Sequence, residues 1–162
     1  MMLGLSLPAH AIPVFNPVTG HYYDIVTGDW ATAEANAVAL DGHLVTINDA
    51  AEQAWLVGQF GGTKWYWIGM NDIDTEGTWV WVSGEAVTYT NWRYPEPNNN
   101  NGTEDYAFMN YVDPGLWNDG DSSFTGSTGI AEWAVPEPAT LILLGSGLAG
   151  LAVWRRLGRK RG

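Results

Sequence analysis

The chain has 162 residues, a net charge of −11 and no cysteine, which excludes a disulfide framework and a thiolate metal site. Five of its seven basic residues crowd into the last eight positions, so residues 12–134 hold only Lys64 and Arg93 against 17 acidic residues. A stretch near −15 repels nucleic acid and attracts cations, and three scattered histidines, His10, His21 and His43, do not make a zinc site.

In chain order, residues 1–11, MMLGLSLPAHA, form a short apolar run ending Ala9-His10-Ala11. This predicts a signal peptide, shortened at its start and lacking a basic leader, with cleavage before Ile12. HYYDIVTG (21–28) reads as a strand ending in a turn. DWATAEANAVAL (29–40) has Trp30, Ala33, Ala37 and Leu40 at helical spacing, with Asp29 to cap it and Gly42 to end it. HLVTI (43–47) reads as a strand, and NDAAEQAWLVGQF (48–60) as a second helix opened by the Asp49–Glu52 capping pattern.

Short aromatic strands and polar loops follow: WYWIGM (65–70), TWVWV (78–82), VTYTNW (87–92), DYAFMNYV (105–112), GLWND (115–119) and GIAEWAV (129–135). Helices first and strands afterwards predict an α+β domain over 12–134. Nine of the ten tryptophans lie in it, which predicts a core built on large aromatic rings, with Tyr106, Trp117 and Trp133 in it.

The C-terminus, residues 135–162, begins Val135-Pro136-Glu137-Pro138, continues with an uncharged apolar run over 139–154, and closes on Arg155, Arg156, Arg159, Lys160 and Arg161. Sixteen helical residues span about 24 Å against a ~30 Å hydrocarbon core, a short membrane helix with its arginines on the cytoplasmic side. This order resembles a PEP-CTERM sorting signal. The resemblance implies a Gram-negative bacterium, export, transient anchoring in the inner membrane, and removal of the tail by an exosortase-type protease.

YPEPNNNNGTEDY (94–106) sets Glu96, Glu104 and Asp105 around four asparagines with almost no counter-charge. Two unit charges about 5 Å apart repel by roughly 1 kcal/mol in water and by more at a protein surface. Either the loop is a solvated spacer or it receives a cation.

DWATAEANAVALDGHLVTI, WIGM, GTWVWVSGEAVTYTNW, EPN, ED and WND, in that order, resemble a C-type lectin-like domain over 21–135. The resemblance implies that fold without its usual disulfides. Ala37 and Ala131 stand at one cysteine pair, and Tyr106 with Ser122 or Ser123 at the other. It also implies a sugar-binding Ca2+ site at Glu96, Asn98, Glu104, Asn118 and Asp119, with a cis bond at Glu96-Pro97. Glu-Pro-Asn resembles the mannose-type subset. Glu96 and Glu104 would accept, and Asn98 and Asn118 donate, hydrogen bonds to two sugar hydroxyls. A second calcium site would use Asp72, Glu76, Asn99 and Asp105 with Glu104. Trp92, Tyr94 and Trp117 are nearby rings, assigned to the core in preference to sugar stacking.

Other patterns carry less. DIDTEG (72–77) opens like an EF-hand loop but reaches Ser83 at its twelfth position, where a glutamate is needed. Asn101-Gly102-Thr103 is a chance sequon in a bacterial chain, and His43 reads as structural. Glu96 and Glu104 as a glycosidase pair are better explained as metal ligands, and no nucleophile–base constellation accompanies them. The expected protein is a non-enzymatic, calcium-dependent binder of glycan or extracellular polysaccharide at the cell surface or in a biofilm matrix. The alternative keeps the fold for protein contacts, with calcium structural and no sugar bound.

Overall fold

A computed structural model describes residues 12–122 and 127–135. The expected signal peptide, the sorting tail and Ser123 lie outside the described residues. Among those described, no helix is long and apolar enough to cross a membrane.

The elements are β1 (Val14–Asn16), β2 (His21–Thr27), α1 (Trp30–Val38), β3 (His43–Leu44), α2 (Ala50–Phe60), β4 (Tyr66–Asn71), β5 (Val80–Trp81), β6 (Tyr106–Met109), β7 (Trp117–Gly120) and β8 (Thr128–Ala134). The sheet runs β1-β2-β8-β4-β6-β7, with β3 added to β8 and β5 to β4. β2 and β8 pair antiparallel from His21↔Ala134 to Thr27↔Thr128, joining the two ends of the domain. The β4–β8 contact, at Trp67↔Gly129, is the parallel one among the strand pairs. Two helices beside a mixed sheet are the α+β arrangement that the sequence predicts.

β4 is buried along its whole length, which requires cover on both faces. Tyr66, Ile68 and Met70 join a cluster with Leu56 of α2 and Trp117, while Trp67 joins Trp30, Ala33 and Ala37 of α1. The period-two alternation of the strand thus divides one sequence between two cores. Ala37 and Ala131 are both fully buried in the α1 core, and Tyr106 packs its ring 5.0 Å from Trp30. Small and aromatic side chains fill the places that the resemblance gives to disulfides.

Both helix caps form. Asp29 accepts the N–H of Thr32 at 2.8 Å, and Asp49 accepts those of Ala51 and Glu52 at 2.9 and 2.8 Å. The first helix stops differently from expectation. Asp41 takes the left-handed conformation at φ 62°, and Gly42 is needed because a Cβ there would lie 2.0 Å from the Glu132 carbonyl oxygen.

Several expected strands are shorter. VTYTNW forms no strand and leaves a single bridge, Trp92↔Trp117. TWVWV contributes Val80–Trp81, and HLVTI only His43–Leu44. Aromatic richness identified these segments, but here the rings pack as isolated core pegs on irregular backbone. DYAFMNYV ends at Met109, because Asn110 turns the chain at φ 70°. Trp133 and Tyr106 are half-buried, whereas Trp117 is fully buried.

Candidate functional site

The acidic loop is positioned by a tryptophan cluster. Trp117 opens β7, and its indole N–H donates to Gln53 of α2 at 2.6 Å. The rings of Trp81, Tyr89 and Trp92 pack edge-on around it at 5.8, 5.7 and 5.6 Å. Trp117 donates its N–H to the Asn91 carbonyl and accepts from the Arg93 N–H, both at 2.9 Å. Residues 91–93 therefore lie beside the start of β7, and the loop after them meets Asn118 and Asp119.

Asp119 is fully buried, and its Oδ2 accepts the backbone N–H groups of Asn98 and Asn99 at 2.9 and 2.7 Å. Asn99 passes this anchorage on. Its Oδ1 accepts the Glu104 N–H at 3.1 Å, and its amide nitrogen donates to Glu76. The Glu104 carboxylate accepts the Asn100 N–H at 2.7 Å. Asn99 and Asn101 are left-handed, at φ 44° and 58°, a conformation that asparagine tolerates. The four-asparagine run is an ordered turn, not a featureless spacer.

Glu96-Pro97 is cis, as the resemblance implies, and so is Tyr94-Pro95. Asn98 donates its amide to the Glu96 carboxylate. Burial raises the pKa of Glu96, with Asp119 and Glu104 adding to the rise and Arg93 opposing it. Glu104 is raised by burial and then by Asp119 and Asp121, with the Asn100 N–H opposing. Hydrogen bonds thus join Glu96 to Asn98, Asn98 to Asp119, and Glu104 to the Asn99–Asn100 turn, with Asn118 preceding Asp119 on β7.

The second expected set adjoins it. Asp72, buried just after β4, accepts the Gly77 N–H at 2.8 Å and donates its own N–H to the Asp105 carbonyl at 3.2 Å. Burial raises its pKa, and the charges of Glu76, Asp105 and Asp119 add to that.

Among these residues, Asn118 Oδ1, Asp119 Oδ1 and Asp72 Oδ1 are buried and accept no hydrogen bond. A buried polar atom without a partner costs free energy, so a group that bound there would be stabilised by it. The available donors are all carboxylate, carboxamide and backbone oxygens, the chemistry of a hard cation such as Ca2+. No group of three or more His, Cys, Asp or Glu side chains converges among the described residues. A cation held here would need carboxamide oxygens as well as carboxylates.

The nearby rings separate by exposure. Trp117 is inaccessible, Trp92 packs 4.7 Å from Trp79, and Tyr94 is 91% exposed, against the expectation of a core ring. His43 is structural, with Nδ1 2.7 Å from Glu34 Oε1. Sequence reasoning missed a second buried acidic network. Tyr23 donates its hydroxyl to Glu52 at 2.7 Å, and Glu132 accepts the Thr46 N–H at 2.6 Å and lies 3.3 Å from His21 Nδ1. Its members are far apart in sequence and share no motif.

The family model described as "Lectin C-type domain" matches residues 27–126, and that of the PEP-CTERM protein-sorting motif matches 134–159. Human C-type lectin domain family 17, member A is 38% identical over 99 residues, 61% of this chain but a quarter (25%) of that protein's length. The cow C-type carbohydrate-recognition domain of CD23, solved in the presence of GlcNAc2Man3 oligosaccharide, is 28% identical with a TM-score of 0.61. The match covers 72% of this chain and 89% of that one. The EPNH mutant of CEL-I, a C-type lectin from Cucumaria echinata, is 27% identical with a TM-score of 0.67, over 78% of this chain and 96% of that one. A family match over more than half of the chain, on the same two-helix, mixed-sheet fold, has one meaning: the chain belongs to the C-type lectin domain family.

Proposed function

We propose that this protein binds carbohydrate in a calcium-dependent manner through Glu96, Asn98, Glu104, Asn118 and Asp119. The observation that carries the reading is the pair of buried, unpartnered oxygens, Asn118 Oδ1 and Asp119 Oδ1, within β7, where Asp119 also holds the backbone of Asn98. Bound Ca2+ would supply a Lewis-acidic centre for two neighbouring sugar hydroxyls. Around it, Glu96 and Glu104 accept hydrogen bonds from those hydroxyls, and the amide groups of Asn98 and Asn118 donate to them. Asp119 divides its work, with Oδ2 holding the loop backbone and Oδ1 left for the cation.

Glu96, Asn98 and Glu104 reach solvent, as a ligand-facing edge must, whereas Asn118 and Asp119 are its buried base. The Glu96-Pro97-Asn98 order supports a mannose-type preference by its resemblance to that subset. Asp72, Glu76, Asn99 and Asp105, with Glu104, form a second calcium site whose unpartnered oxygen is Asp72 Oδ1. The reading is of a binding protein rather than an enzyme.

The sorting-motif match over 134–159 supports export in a Gram-negative bacterium, with an exosortase-type protease acting on the tail. A surface or biofilm-matrix lectin meets extracellular polysaccharide there, and clustering raises its avidity. The test is glycan-array binding with calcium, with chelator, and after Glu96→Gln with Asn98→Asp. Binding lost in both of the last two supports the reading. Binding absent at every calcium level overturns it, in favour of a protein-contact domain.

A further inference from the structure

Beyond Arg93 lies a surface that the calcium loop does not use. The Arg93 guanidinium carbon lies 5.7 Å from the centre of the Tyr111 ring, and Arg93 Nε is 3.9 Å from Asp113. The Tyr111 ring in turn lies 5.8 Å from that of Trp65, and both pack on buried Phe108 at 5.8 and 5.1 Å. Trp65 remains 44% exposed and Val112 65% exposed. Two aromatic rings therefore share one patch, and Val112, next to Tyr111 in the chain, is exposed beside it in sequence.

The loop presenting them is held firmly. Asn110, left-handed at φ 70°, donates its side-chain amide to the carbonyls of Gly61 and Lys64 at 3.0 and 2.7 Å and accepts the Gly115 N–H at 2.8 Å. Val112 is also left-handed, at φ 62°. A β-branched residue adopts that conformation only when its surroundings enforce it, and such positions concentrate where a side chain must be presented. The sequence thus accepts strain to point an apolar side chain into water.

The patch is continuous with the proposed sugar site. Arg93 accepts the Glu96 N–H at its carbonyl, 2.6 Å away, so the two residues adjoin in the fold. Arg93 therefore stands between the calcium ligands and Tyr111. A polysaccharide held at Glu96 and Asn98 by one residue has further residues to lay somewhere. Pyranose rings present apolar C–H faces that stack on aromatic rings, and their hydroxyls suit a guanidinium and a carboxylate.

We propose that Trp65, Tyr111, Val112 and Arg93 form a subsite for the glycan residues adjoining the one bound at calcium, so that the ligand is a polysaccharide chain rather than a single sugar. This rests on the carbohydrate-binding reading above. Rigid rings lose little entropy on binding, which favours a preformed platform.

The test is isothermal titration of the protein with mannose and with mannotetraose, in calcium and in chelator. Wild-type protein in calcium binds the tetrasaccharide roughly tenfold more tightly than mannose. Trp65→Ala removes that gain while leaving mannose affinity unchanged. Val112→Asp, at an exposed position, does the same without touching a ring. Equal affinities for both sugars, or a gain unaltered by both variants, overturn the subsite and leave the calcium site standing. Tetrasaccharide binding that persists in chelator and is lost in Trp65→Ala supports the subsite and overturns the calcium reading. No binding of either sugar in either condition overturns both.

Discussion

The Asp119 carboxylate accepts the backbone N–H of Asn99 at 2.7 Å, tying a fully buried strand residue to a partly exposed loop 20 positions earlier. A second bond, from Asn98 at 2.9 Å, makes the tie two-pronged. Asp119 is therefore both the anchor of the loop and a member of the proposed ligand set. Asp119→Ala removes two charge-assisted hydrogen bonds and lowers stability by about 2–3 kcal/mol even in chelator. Urea unfolding measures this, and an unchanged midpoint would show that the loop holds itself.

Calcium is expected to stabilise the folded chain, because the proposed ligands are spread over residues 96–119 and can meet only when it is folded. At a calcium concentration about 100 times Kd the gain is about 2.7 kcal/mol. Thermal melts with calcium and with chelator read it directly. Superimposed melts at millimolar calcium would remove the metal from the account.

The pH dependence has a definite sign. Burial and neighbouring carboxylates raise the pKa of Asp72, Glu96 and Glu104, and burial raises that of Glu52. A carboxyl whose folded-state pKa exceeds its unfolded value binds protons first when folded, so stability in chelator rises as pH falls from neutral towards about 5. His21, raised by its bond to Glu132, acts in the same direction. Its contribution is complete below the unfolded value and lost as pH rises through the folded one. With calcium, protons compete for the ligating carboxylates, so the calcium-induced shift in Tm narrows on acidification. The two melting curves converge as pH falls from neutral towards the ordinary carboxylate range. A constant separation across that range contradicts the ligand assignment.

Gly42→Ala tests the junction of α1 with β8. The added Cβ would sit 2.0 Å from the Glu132 carbonyl oxygen, which is backbone and cannot swing aside. Loss of about 3 kcal/mol is expected, at the upper end for overpacking. Gly20→Ala meets no neighbouring atom at its Cβ and serves as the control for φ strain alone, since Gly20 has a φ of 75°. Gly42 is not among the positive-φ glycines, so a loss there no larger than about 1 kcal/mol would remove the steric account.

The sequence alone determined the elements whose signals are local. Trp30, Ala33 and Ala37 recur at helical spacing, Asp29 and Asp49 lie where a helix start needs an acceptor, and each observed helix follows. The acidic, asparagine-rich loop over 94–106 was also legible, because clustered oxygens without counter-charge are visible in one dimension, whereas the full candidate ligand set came from the family resemblance. The tertiary structure decided what depends on distant partners. VTYTNW looks like a strand, but its backbone finds no neighbour to pair with beyond Trp117. Gly42 looks like a helix terminator, but its size is set by a carbonyl 90 residues away. The Tyr23–Glu52 and Glu132–Thr46 bonds, and the meeting of Arg93, Tyr111 and Trp65, arise from sheet order, which no local pattern encodes. Periodicity and capping act within a few residues, whereas burial and convergence are properties of the packed chain.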